Sequence, residues 1–151
     1  MPMKILVLND LNRDDACFWI RIGFHLERLK QAGIVETYDL NDIEKYQTAD
    51  LVIIQRHVDL SPSLIGRMLA APKPVLYETD DFLLRLPEHH PVYAHYSVHA
   101  FLSWHFFKHF VTAISVSTDP LRHYFARCHR NTRVVKNTLP HPFTAGVFSG
   151  G

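Results

Sequence analysis

The sequence has little cysteine, and its cysteines do not follow a spacing typical of secreted or metal-binding domains. Cys17 and Cys128 are the only two thiols among 151 residues, and no C-x-x-C pair occurs. Two thiols do not make a disulfide framework, so a reduced, cytoplasmic setting is expected. The first residues lack the apolar core and cleavage site of a signal peptide. No apolar run reaches the length of a membrane span, so we expect at most peripheral contact with the inner membrane.

An excess of one charge is also missing. Sixteen Lys and Arg stand against fifteen Asp and Glu, which gives a formal net charge of +1. A domain without an overall basic field is not expected to bind nucleic acid. Glycine is absent from residues 9–15, and neither G-x-G-x-x-G nor a Walker A motif occurs. We therefore expect no dinucleotide site and no P-loop phosphate site.

Hydrophobic residues make up 47% of the chain, which is enough for a packed core. Short continuous apolar runs, typical of buried strands, alternate with segments of helical periodicity. The predicted strands are residues 5–8, 34–40, 51–54, 75–77, 112–116 and 132–135, and helices are predicted within 16–33, 61–69, 92–110 and 117–128. This alternation predicts a single α/β domain over residues 1–138 with a Rossmann-like, doubly wound parallel sheet. Residues 139–151 are expected to form a linker or a frayed tail.

In such sheets, ligands bind at the carboxyl ends of the strands, near the point where the strand order reverses. Asn9 and Asp10 follow the first predicted strand and suit hydrogen bonding to hydroxyl groups better than binding pyrophosphate. His57 follows the third strand, where it can contact a hydroxyl or a phosphate of a ligand. A surface histidine at a turn is the more common situation.

Three carboxylates, Glu78, Asp80 and Asp81, directly follow the strand predicted over 75–77. Crowded like charges raise at least one pKa, which would help a general base. The same oxygens could instead bind a divalent cation. They could also cap the next segment by binding backbone amides. The sequence leaves these three alternatives open.

The segment over residues 92–110 is rich in aromatic residues and histidine. His95/His99 and His105/His109 have the i, i+4 spacing of helical metal ligands, but neither pair has the Glu of H-E-x-x-H, so we expect ordinary surface histidines and no metal site. The aromatic residues are spread around the predicted helix, which favours packing against the sheet. Contact with a membrane surface or an acceptor lipid is the alternative.

Three stretches, taken in order, resemble the N-terminal domain of bacterial GT-B glycosyltransferases (family 4-like) that build O-antigens and related polysaccharides. The first is residues 16–22, ACFWIRI, in which a small residue and a cysteine precede Arg-Ile. The second is residues 73–81, a strand that ends in Glu-x-Asp-Asp. The third is residues 113–121, with a Ser-Thr-acid-x-Leu helix start, followed by VVKN at 134–137. Order and spacing agree over residues 4–137.

The resemblance implies transfer of a sugar from a nucleotide-sugar to a glycan or lipid-linked acceptor, in a cleft between two Rossmann-like domains. It places the acceptor on this domain and the donor nucleotide on a second, donor-binding domain that the 151 residues do not include. It implies no cofactor, since the nucleotide-sugar is a substrate, and we expect this chain to be inactive alone.

By motif match, Arg21 and Asn137 are candidate substrate-binding residues, and Glu78, Asp80 and Asp81 are candidate catalytic residues near the reacting hydroxyl. Two other classes remain open. One is a metal-dependent enzyme that uses the same carboxylates. The other is a non-catalytic binding module, although a phosphoacceptor receiver domain would need an aspartate where Gln55 stands.

Overall fold

The computed structural model describes residues 1–9, 15–56, 61–91 and 93–137. Its strands are β1 (Met3–Asn9), β2 (Val35–Leu40), β3 (Leu51–Gln55), β4 (Val75–Thr79), β5 (Ala113–Val116) and β6 (Thr132–Val134). They form one six-stranded sheet in the order β2-β1-β3-β4-β5-β6, and every neighbouring pair is parallel. The α/β class and the Rossmann-like parallel sheet predicted from the sequence are confirmed. Asp10, His57 and residues 139–151 lie outside the described residues.

The helices are α1 (Ala16–Phe18), a π-helical turn (Trp19–Gly23), α2 (Phe24–Gln31), α3 (Pro62–Ala70), α4 (Tyr93–Phe107) and α5 (Asp119–Phe125). Ser61 caps α3, since its hydroxyl accepts from the Leu64 amide at 3.1 Å, and Thr118 caps α5 in the same way. Both helices overlap ranges predicted from the sequence, and each has a proline in its first turn, which is typical of a helix start. Gly33 ends the first helical segment with a φ of 71°, as expected for a glycine at that position.

The first helical segment differs from the regular helix predicted for it, because it contains the π-helical turn. Phe18, Ile22 and Leu26, which are spaced four residues apart, are buried against β1. The π-turn has a wider winding than an α-helix, and Arg21 is buried in it beside Ile22. A Cβ atom at Gly23 would overlap the Trp19 indole ring, so only glycine fits at this position.

Two short 3-10 helices, Ile43–Gln47 and Leu83–Arg85, were not predicted. The first is held by Tyr46, which is fully buried and donates its hydroxyl to the carbonyl of Ala71 at 3.0 Å. Five and three residues are too few to show a helical period in a sequence, so these elements depend on tertiary packing.

The aromatic helix α4 packs on the sheet through Trp104, whose ring centroid lies 5.3 Å from that of Tyr77 and 5.0 Å from that of Phe125. This confirms core packing for Trp104, whereas Phe101 and Leu102 are exposed. His105 and His109 are exposed as well. Among the residues that the structure describes, no helix has both the length and the apolar character needed to cross a lipid bilayer.

Candidate functional site

A row of polar side chains crosses the carboxyl edge of the sheet. The strand register pairs Asn9 with Gln55, Gln55 with Glu78, and Glu78 with Ser115, so these residues end or nearly end four adjacent strands. All four are buried. The strand order reverses at β1, whose neighbours are β2 and β3, so the row begins at the topological switch point, where ligands bind in doubly wound sheets.

The amide side chains at this switch point form a connected network. Asn9 donates from Nδ2 to Gln55 Oε1 at 3.3 Å, and Gln55 donates from Nε2 to the carbonyl of Cys17 at 3.3 Å. Asn41 donates from its own Nδ2 to Asn9 Oδ1 at 3.1 Å. Buried amides keep a unique arrangement when their donors and acceptors are satisfied. The network therefore gives the floor of the site a defined shape.

Arg21 and Glu78 form the most deeply buried ion pair among the described residues of the site. Arg21 donates from Nε to Glu78 Oε1 at 2.5 Å, and its Nη2 lies 2.5 Å from the same oxygen. The two side chains are only 1% and 3% exposed. A charged pair this deep in the protein is retained only when each partner offsets the other's loss of hydration. The Arg21 guanidinium therefore binds Glu78 inside the protein.

Arg21 also binds the chain that leaves β6. Its Nη1 donates to the carbonyl oxygen of Val135 and to Asn137 Oδ1, the latter at 2.8 Å. Val135 and Asn137 are both exposed, so the guanidinium links a surface segment to the buried carboxylate. Arg21, Glu78 and Asn137, which were predicted as site residues from separate motifs, are therefore brought together.

Glu78 has an unusual proton affinity for a carboxyl group. Burial raises the pKa of Glu78 to about 7, although the Arg21 guanidinium acts in the opposite direction. Its second oxygen, Oε2, has no hydrogen-bond partner among the described residues. Burial disfavours the charged form of a carboxyl group because the protein interior solvates it poorly. Glu78 can therefore exchange a proton near neutral pH.

Arg56 is the main site residue that the sequence analysis missed. It directly follows β3 with a φ of 62°, and its Nη2 lies 2.9 Å from Asp81 Oδ2, while its Nη1 lies 3.9 Å from Asp80 Oδ1. Its position in the sequence could have identified it, because Arg56 directly follows β3 and the carboxylates Asp80 and Asp81 directly follow β4, the neighbouring strand. We call Arg56, Asp80 and Asp81 the Arg56 cluster.

Asp80 and Asp81 form the accessible part of the acidic motif. The side chain of Asp80 is 14% exposed and that of Asp81 is 53% exposed, whereas Glu78 is buried beneath them. Burial raises the pKa of Asp80, the neighbouring charge of Asp81 adds to the effect, and Arg56 opposes it. Asp81 is therefore the carboxylate most open to a ligand, Asp80 is exposed only in part because its Oδ1 is buried, and Glu78 is enclosed.

Cys17 belongs to the same surroundings but is not an activated thiol. Burial raises the pKa of the half-buried Cys17 thiol, and the charge of Asp80 raises it further. A thiol with a raised pKa holds its proton at neutral pH and is a poor nucleophile. The site therefore offers carboxylates, amides and guanidinium groups to a ligand.

Two further observations concern the capping and metal alternatives for the carboxylates. The amide of Asp81 donates to the hydroxyl of Thr79 at 3.4 Å, and a backbone hydrogen bond to the Asp80 carboxylate acts to lower its pKa. Over residues 1–9, 15–56, 61–91 and 93–137, no three His, Cys, Asp or Glu side chains are grouped as metal ligands would be.

No protein-family model, curated protein or solved structure matches this chain.

Proposed function

We propose that this chain is the acceptor-side domain of a GT-B glycosyltransferase, which moves a sugar from a nucleotide-sugar to a glycan or a lipid-linked acceptor. One observation supports the proposal most directly. The three stretches on which the resemblance rests are distant in sequence, yet Arg21 from the first, Glu78 from the second and Asn137 from the third are in direct contact. Motifs that belong to one functional site are expected to meet in this way.

The chemistry available at the edge fits activation of a hydroxyl group. In an inverting transfer, Asp80 takes the proton of the acceptor hydroxyl. The oxygen of that hydroxyl forms the new bond to the anomeric carbon of the donor sugar, and the nucleoside diphosphate leaves. A carboxylate with a raised pKa is a better base than an exposed one, and the pKa of Asp80 is raised by burial and by Asp81. Arg21 and Glu78 act as positioning residues, since their contacts hold the end of β4.

The proposal places the donor nucleotide on a second domain. Residues 10–15, which follow β1 in the sequence, include no glycine, so close backbone approach to a diphosphate of the kind seen in dinucleotide sites is disfavoured there. Titration of this chain with UDP-, GDP- and dTDP-sugars by calorimetry is expected to show weak binding or none. Micromolar binding of any of them would contradict this division between the domains.

The function is tested by deleting the gene in its host and analysing surface and lipid-linked glycans by mass spectrometry. We expect the loss of one sugar from a glycan, restored by the wild-type gene and not by Asp80→Asn. The matched control is Asp119→Asn, which removes a carboxylate that pairs with Arg122 on the exposed surface of α5. Unchanged glycans in the deletion strain would rule the proposal out.

A further inference from the structure

Charge is divided unevenly between the two parts of the chain. Residues 1–88 contain ten Lys and Arg against fourteen Asp and Glu, whereas residues 89–151 contain six against one, Asp119. The formal charge is therefore −4 in the first part and +5 in the second, although the whole chain is close to neutral. Such an asymmetry is typical of domains that bind a membrane or a nucleic acid.

The fold gathers the basic part at one end of the sheet. Residues 89–137 contain α4, β5, α5 and β6, and β5 and β6 are the last two strands in the sheet order. Since β4, β5 and β6 are parallel, α4 and α5 both return to the amino ends of the strands and finish there. At this edge His129 Nε2 lies 2.9 Å from the carbonyl oxygen of Val111, and Asn131 donates to the carbonyl of Thr112 at 3.1 Å. These contacts join the turn after α5 to the turn after α4.

The exposed side of α4 combines apolar and basic groups. Phe101 and Leu102 are 55% and 54% exposed, although both are large and apolar. The centre of the Phe101 ring lies 4.4 Å from that of the His105 ring, and His105 Nδ1 lies 3.2 Å from Lys108 Nζ. These side chains therefore follow one line along the helix. We call Phe101, Leu102, His105 and Lys108 the α4 surface.

Two arginines at the end of α5 extend the α4 surface. Burial raises the pKa of the Cys128 thiol and the charge of Lys108 acts in the opposite direction, so Lys108 lies near the turn after α5. Arg127 and Arg130, on either side of Cys128, are exposed. Neither of them pairs with a carboxylate of the described part of the chain. Their charges are therefore available to an anionic partner.

From this arrangement we propose that the α4 surface, together with Arg127 and Arg130, binds the surface of a membrane that contains anionic lipids. Phe101 and Leu102 enter the boundary between the headgroups and the acyl chains, while Lys108 and the two arginines bind lipid phosphates. Exposed bulky apolar side chains beside basic ones are the features by which a helix lies in a membrane interface.

The apolar residues favour a lipid surface over other anionic partners. Basic side chains bind the phosphates of a membrane and of a nucleic acid alike. The phosphate backbone of a nucleic acid leaves Leu102 in water, whereas the acyl boundary of a membrane removes Leu102 and Phe101 from it. A second copy of this chain, docked through the same surface, would bring two basic patches together, and like charges repel.

This inference goes beyond the proposed function, and its test uses lipid vesicles in place of sugars or nucleotides. The chain is sedimented with vesicles of phosphatidylcholine alone and with vesicles in which about one third of the lipid is phosphatidylglycerol. We expect binding to the anionic vesicles only, and weaker binding at high salt, because salt screens the attraction. Hydrogen exchange measured with the anionic vesicles should slow in residues 101–110 and stay unchanged in α3.

One pair of variants tests the basic part of the surface. Arg127→Glu combined with Arg130→Glu should weaken vesicle binding at least about tenfold, since each basic residue near an anionic surface contributes about fivefold. The matched control is Arg28→Glu combined with Lys30→Glu, which makes the same change of charge at exposed residues of α2. Because α2 and α4 pack on opposite faces of the sheet, this control should weaken binding about twofold at most.

A second pair of variants tests the apolar part of the surface. Leu102→Ser should weaken vesicle binding about fivefold, because a polar side chain gains nothing from the acyl boundary. Leu69→Ser removes a leucine of α3 that is 62% exposed, and it should leave binding unchanged. All the substituted residues are exposed, so the circular dichroism spectra of these variants should match that of the wild type.

Four results would overturn the inference. They are no sedimentation with anionic vesicles at low salt, equal binding to vesicles of phosphatidylcholine alone, an equal loss of binding in the control variants, and tight binding of a DNA or RNA oligonucleotide that Leu102→Ser leaves unchanged. The last result would assign the basic surface to a nucleic acid. None of these measurements depends on sugar transfer, so they decide the membrane surface separately from the proposed function.

Discussion

Nε of Arg21 lies 2.5 Å from Oε1 of Glu78, and this contact joins the π-helical turn to the end of β4 across 57 residues of sequence. Both side chains are almost completely buried. The same guanidinium binds Val135 and Asn137, so one residue connects the beginning, the middle and the end of the described chain. Stability, proton affinity and the shape of the site should therefore all respond to changes in this pair.

At pH 8, where Glu78 is ionised in the wild type, Arg21→Met should destabilise the protein by roughly 3 kcal/mol, because it leaves a buried carboxyl group without its charged partner. The control is Arg67→Met, which removes an arginine 2.5 Å from the mostly exposed Glu44 and should cost about 1 kcal/mol or less. Urea unfolding followed by circular dichroism measures both free energies of unfolding. Equal decreases in the free energy of unfolding for the two variants would show that the buried pair stabilises the protein no more than the exposed pair.

The free energy of unfolding should fall as pH rises from about 4.5 to about 7, because Glu78 keeps a proton in the folded state that the unfolded chain releases. The contribution of Glu78 to this fall is about 3 kcal/mol. Urea unfolding across this pH range is compared between the wild type and Glu78→Gln. The difference between the two profiles separates the contribution of Glu78 from that of the histidines. Parallel pH profiles for the two proteins would contradict the raised pKa.

Gly23→Ala should destabilise the protein by about 1–3 kcal/mol, because the added methyl group overlaps Trp19 within the π-turn. Gly66→Ala in α3 is the matched control, since an added Cβ there meets nothing within 4 Å. Alanine in the middle of a helix should stabilise by roughly 0.5–1 kcal/mol relative to glycine. Thermal unfolding of both variants decides whether the effects have opposite signs, as we expect.

Alkylation of Cys17 by iodoacetamide should be slow at neutral pH and faster in Asp80→Asn, because the negative charge of Asp80 helps to raise the pKa of this thiol. Mass spectrometry of the Cys17 peptide across a range of pH values gives the rate profile. Asp119→Asn should leave the profile unchanged. A profile that does not move in Asp80→Asn would place the two residues farther apart than the structure does.

Local patterns in the sequence were sufficient for most of the fold. The apolar runs at the centres of β1 and β3 predicted buried strands, and helical periodicity predicted α3 and α5, because strand burial and helix formation depend on a few neighbouring residues. For the same reason Glu78, Asp80 and Asp81 could be assigned to the end of a strand before its neighbours were known. The absence of glycine from residues 9–15 likewise argued against a phosphate site without any structure.

The tertiary structure alone decided which of these groups meet. The strand order places β3 next to β4, and only then can Arg56 contact Asp80 and Asp81. The π-turn depends on Trp19 packing over Gly23, and it accompanies the burial of Arg21 against Glu78. Such contacts join residues far apart in the chain, and their energies depend on burial and register. A sequence pattern records the residue types at a site, whereas folding sets the distances and the dielectric surroundings that determine their chemistry.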